Sequence, residues 1–93
     1  MSELSRISIT ATGHVQGVYY RAFASRIAKS LGLRGYVHNV PKTGAVEVHA
    51  EGDKSKLEEL ARQLEVGPPE ALVENLDVQW ENFRGEFVNF EIR

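Results

Sequence analysis

Residues 6–32 read RISITATGHVQGVYYRAFASRIAKSLG, and a change of period inside this stretch decides the fold. Ile7, Ile9 and Ala11 alternate with Ser8, Thr10 and Thr12, which predicts a half-buried strand over about Arg6–Thr12. Gly13 and Gly17 interrupt that pattern. From Tyr20 the spacing changes: Tyr20, Phe23, Ala24, Ile27, Ala28 and Leu31 fall on one face of a helix, which Gly32 ends.

Working outward, strands are predicted near Arg34–Val40 and Ala45–Glu51, with Pro41-Lys42-Thr43-Gly44 between them as a hairpin turn. Val46, Val48 and Ala50 alternate with Glu47, His49 and Glu51, so one face of the second of these strands is wet. A second helix is predicted over about Lys54–Leu64, with Asp53 or Ser55 as its cap and Leu57, Leu60, Ala61 and Leu64 as its apolar stripe. Glu58 and Arg62 have the spacing to pair on its solvent face. Gly67-Pro68-Pro69 stops it. Leu76, Val78 and Trp80 mark one more strand and Val88, Phe90 and Ile92 a last one, with Arg84-Gly85-Glu86 as the turn between them. The order β-α-β-β-α-β plus a C-terminal strand is the split pattern of a ferredoxin-like α+β sandwich, read as an antiparallel sheet with two helices on one face.

The chain has 93 residues, 42% of them hydrophobic and 26% charged, which suits one domain over residues 1–93. It has no cysteine, which removes disulfides, thiolate metal sites and cysteine nucleophiles. The net charge of −2 speaks against a nucleic-acid partner. No stretch has the length of a membrane span, and residues 1–6 lack the apolar run of a signal peptide. The expected location is therefore the cytoplasm. His14, His38 and His49 show no metal-ligand spacing along the chain, so neither a metal nor a cofactor is expected.

The loop His14-Val15-Gln16-Gly17-Val18 joins a strand to a helix start. Glycines there allow positive φ, so that successive N–H groups can converge, and the helix start adds its own unpaired N–H groups. Arg21 stands in the first turn, where the helix dipole disfavours a cation by about 0.3–1 kcal/mol. Binding an anion gives a reason to accept that cost. Local chemistry alone leaves two readings open, an anion ligand or a solvated surface arginine on a tight turn. Asn39, at a strand end before Val40-Pro41, reads on local chemistry as a turn starter.

These segments carry a resemblance. Gly13-His14-Val15-Gln16-Gly17-Val18-Tyr19-Tyr20-Arg21 resembles the phosphate-binding signature of the acylphosphatases. Gly35-Tyr36-Val37-His38-Asn39 and Gly44-Ala45-Val46-Glu47-Val48 resemble that family's second signature, and Gly67-Pro68-Pro69 and the closing strand fit as well. His14 stands where arginine or lysine is common, and the turn after Asn39 is one residue longer than the commonest version. The resemblance implies a hydrolase that cleaves the carboxyl–phosphate anhydride of a small-molecule acyl phosphate. It further implies that the N–H groups of His14, Val15, Gln16, Gly17 and Val18 bind the phosphate together with Arg21, and that Asn39 orients the attacking water. Inorganic phosphate or sulfate would bind as product or inhibitor, to a monomer. Two competitors stand beside it. One is an RNA-recognition module, which Arg34-Gly35-Tyr36 imitates but Val37-His38-Asn39 does not continue. The other is a non-catalytic domain that holds an acyl or carbamoyl phosphate for a larger assembly.

Overall fold

The structure is a computed structural model and describes residues 3–93. Its elements are β1 (Leu4–His14), α1 (Tyr20–Ser30), β2 (Arg34–Asn39), β3 (Val46–Asp53), α2 (Lys54–Val66), β4 (Leu72–Glu81) and β5 (Phe90–Ile92). One five-stranded sheet has the order β4-β1-β3-β2-β5. Both helices pack on one face of it, where the alternation of the strands collects the apolar side chains. Ile7, Ile9 and Ala11 of β1 lie opposite Ala50, Val48 and Val46 of β3, and all six are buried. Leu57, Leu60 and Leu64 of α2 have no exposed surface. Burial of each such leucine is worth roughly 1.5–3 kcal/mol. From α1, Tyr20, Ala24 and Ala28 enter the core, while Phe23 and Ile27, with Leu31 just past the helix end, cover its margin. Among the described residues no helix is long and apolar enough to cross a membrane.

The ferredoxin-like α+β reading holds, with corrections in detail. The sheet is mixed, because β5 runs parallel to β2, with Gly35 opposite Phe90 and Val37 opposite Ile92. After β4 the chain leaves that edge of the sheet and crosses to the opposite edge, beside β2, where Phe90 is buried in the core. Having reversed direction, it arrives there pointing the same way as β2. Residues 82–89 therefore do not form a hairpin turn; they cross the face of the sheet that the helices leave open. The buried Glu51 carboxylate fastens this crossing by accepting from the N–H groups of Arg84, Gly85 and Glu86, at 2.7–3.3 Å. Arg6, also buried, pairs with Glu51 at 3.4 Å and with Glu86 at 2.5 Å. Two smaller expectations also change. Val88 lies on the crossing and is exposed, and Arg62 pairs with Glu59 rather than Glu58.

Candidate active site

β1 ends on a bulge. Its pairing with β4 shifts between Thr12 and Gly13, and such an irregularity twists the strand end away from the ladder. A Cβ on Gly13, at φ +120°, would stand 2.2 Å from the carbonyl oxygen of Leu72, so glycine is required. The chain then turns through residues 15–19 into α1. Gly17 has φ +75°. Tyr19, at φ 62°, is the N-cap residue and offers no side-chain cap. A left-handed tyrosine costs roughly 1–2 kcal/mol, an expense a plain connecting turn would avoid.

This turn leaves donors without partners. Among the described residues, no backbone N–H from Gln16 to Ala22 is hydrogen-bonded to protein. The first turn of α1 also contains no acidic residue. Free N–H groups and the positive end of the helix dipole thus meet at one place, and Arg21 adds its guanidinium there. The guanidinium donates from Nη1 to the main-chain oxygen of Arg93, at 3.1 Å. Arg93 is itself docked on β2, donating its N–H to Val37 at 2.8 Å.

A cavity of about 360 Å³ opens at this point, lined by Val15, Gly17, Tyr19, Arg21, Asn39 and Ile92 among others. The strand order brings Asn39 there. Period-two alternation turns Asn39 to the helix side with Val37, and His38 to the open side. The amide oxygen Oδ1 of Asn39 is buried and, among the described residues, has no hydrogen-bond partner. Beside this cavity and sharing Tyr19 with it runs a second groove of about 390 Å³, lined chiefly by Val18, Phe23, Arg26, Pro68 and Pro69.

Of the residues singled out from the sequence, Arg21, Asn39, Val15 and Gly17 come together. Val18 is buried beside the second groove. His14 is exposed at the end of β1, opposite Leu72, and does not line the cavity. The Gln16 side chain faces away to the hairpin turn, where its Nε2 donates to Ala45 at 2.9 Å and to Val40 at 3.4 Å. It braces the loop against the turn between β2 and β3. Ile92 and the main-chain oxygen of Arg93 were missed, since nothing in a sequence marks a main-chain oxygen as a tether. On the open face, His38 and His49 both reach the Glu47 carboxylate, a grouping hidden by their separation along the chain. The hydrogen bond from His49, with a smaller one from His38, holds the Glu47 carboxyl below its usual range.

Fold and site together define a ferredoxin-like sandwich with a donor-lined cavity where its first strand passes into its first helix. Residues 7–92 match the model of the acylphosphatase family. The acylphosphatase of Anaeromyxobacter sp. (strain Fw109-5) is 44% identical over 93 residues, covering 100% of this chain and 99% of that protein. Two solved structures superpose closely. The Bacillus subtilis acylphosphatase does so with a TM-score of 0.91 at 30% identity, over 98% of this chain and 99% of that one. The Coxiella burnetii acylphosphatase gives 0.89 at 33% identity, over 97% and 93%. The chain belongs to the acylphosphatase family of hydrolases.

Proposed function

We propose that this chain hydrolyses acyl phosphates to a carboxylate and inorganic phosphate in the cavity between Gly17, Arg21 and Asn39. One observation supports the reading above the others. Gly17 with its unpaired N–H, Arg21 with its guanidinium, and Asn39 with its partnerless amide oxygen line one cavity. The chemistry asks for little more. The leaving carboxylate has a conjugate acid of pKa about 4, so it departs without a general acid. Phosphoryl transfer then depends on holding the phosphate and aligning the nucleophile. The N–H groups of Gln16, Gly17 and Val18 and the Arg21 guanidinium hold the phosphoryl oxygens. The Asn39 amide oxygen accepts a hydrogen bond from water and aims its oxygen at phosphorus. The new P–O bond forms as the bond to the carboxylate breaks, and the proton of the water passes to a phosphoryl oxygen. The neighbouring groove past Tyr19 leaves room for the acyl group. No step calls on a metal or cofactor.

The test is hydrolysis of benzoyl phosphate by the chain in metal-free buffer with excess EDTA. Steady turnover with release of inorganic phosphate is expected. Binding of the substrate without turnover would instead make the chain a carrier domain, and turnover that returns only on adding divalent cations would refute the mechanism.

A further inference from the structure

We propose that His38, Glu47 and His49 form a binding site for a divalent transition-metal ion, with Zn²⁺ best suited, on the face of the sheet opposite the active-site cavity. The hairpin builds it. His38 on β2 is the direct cross-strand partner of Glu47 on β3, and His49 lies two residues further along β3, so all three side chains share the open face. His49 Nε2 lies 2.8 Å and His38 Nε2 3.4 Å from the same oxygen, Oε1 of Glu47. The three ligand atoms all fall within 4.8 Å of one another. An ion bound at 2.0–2.2 Å in tetrahedral geometry sets its ligands about 3.3 Å apart, so these atoms need only small shifts to close on one. Two imidazoles and a carboxylate select Zn²⁺, Ni²⁺, Co²⁺ or Cu²⁺ over Mg²⁺ and Ca²⁺, which want oxygen ligands. The side chains remain 18–31% exposed, which leaves room for water to complete the coordination.

The rings are also held in place. Tyr36 stacks on His49 with ring centres 4.9 Å apart and packs against His38 at 5.6 Å. The Arg93 guanidinium lies 4.2 Å from the centre of the Tyr36 ring and would oppose a dication. Its ion pair with Glu91, at 3.1 Å, offsets that charge. A bound ion would clasp β2 to β3 one residue before Asn39 while staying out of the cavity. It would therefore stabilise the hairpin and leave the chemistry unaided. The site stands whether or not the cavity hydrolyses acyl phosphates.

The experiment uses the tag-free chain, stripped with EDTA and exchanged into neutral buffer, titrated with Zn²⁺ by calorimetry and with Co²⁺ by visible absorption. Expected are one ion per chain, a raised melting temperature and intense Co²⁺ bands of low coordination number. His38→Gln and His49→Gln should each weaken binding by at least about tenfold, with unchanged circular dichroism and an unchanged metal-free melting point. His14→Gln should bind as the parent does. Glu47→Gln, which keeps the shape of the side chain, serves if either histidine variant fails to fold. Three results would overturn the site: no saturation below about 1 mM Zn²⁺, binding retained within about twofold in the folded ligand variants, or binding lost in His14→Gln.

Discussion

Asn39 holds a buried carboxamide oxygen that no group among the described residues satisfies, and an acceptor stranded in this way costs roughly 1–3 kcal/mol. Removing it should therefore separate stability from activity. Asn39→Ala is expected to keep or slightly raise the melting temperature while kcat falls about 10²–10³-fold, the usual loss for one positioning or oxyanion group. KM should change far less. A variant that keeps more than about a tenth of kcat would return Asn39 to the role of a strand-end residue. Arg21 predicts the opposite pattern. Arg21→Gln should fold, since the side chain is only half-buried and its hydrogen bond runs to a main-chain oxygen. It should lose most of the stabilisation that phosphate gives the parent, about 2.7 kcal/mol at 100 times the dissociation constant and read as a rise in melting temperature. The control is chloride at equal ionic strength. The two residues were not equally legible. Arg21 breaks a local rule of helix electrostatics and so stands out by itself, whereas Asn39 obeys the rules of turn chemistry and gained its role only through the resemblance.

The two helices begin in contrasting ways. Asp53 caps α2 by accepting from the N–H of Ser55 at 3.0 Å, while Tyr19 leaves the start of α1 open. Stability decided the first choice, and the cavity occupies the second. Asp53→Ala should cost about 1 kcal/mol, which in a domain of this size lowers the melting temperature by about 4–8 °C. Activity should be unaltered at temperatures where the variant stays folded. Elements were largely readable from their periods: β1, both helices and the 41–44 turn stand where Ile7–Ala11, Tyr20–Leu31, Leu57–Leu64 and Pro41–Gly44 put them. What the residues do not spell out is which strand meets which. The register that sets His38 against Glu47 comes from the geometry of the turn, and a slip of one residue would send these side chains to the other face. The parallel seating of β5 is of the same kind, because the edges of β4 and β2 are both open to a further strand and the crossing of residues 82–89 decides between them.

On the scale of the whole molecule, Tyr20 ties the helices together. Its hydroxyl donates to the carbonyl oxygen of Leu64 at 2.6 Å, wholly inside the core. Burial pushes its pKa far above the ordinary value of 10.0. The folded protein thus keeps this phenol neutral where the unfolded chain ionises it. The stabilisation is complete below pH 10.0 and is lost as pH rises above that value, by up to about 1.4 kcal/mol per pH unit for one group. Urea unfolding at a series of alkaline pH values should show this decline. Tyr20→Phe should be about 1 kcal/mol less stable at neutral pH, from the lost hydrogen bond, and should decline less steeply above pH 10.0. An equal slope in both proteins would mean that Tyr20 ionises within the fold. The crossing of residues 82–89 has a consequence for the timing of folding. It delivers Phe90 to the core, Ile92 to the wall of the cavity and the main-chain oxygen of Arg93 to Arg21. β5 is a three-residue strand held by pairing with β2 alone, so it can be seated only once the edge of β2 is formed. A chain with β1–β4 and both helices in place would be compact yet inert, its arginine untethered and its cavity open on one side. Under the proposed mechanism, the site is complete only when residues 90–93 have reached the far edge of the sheet.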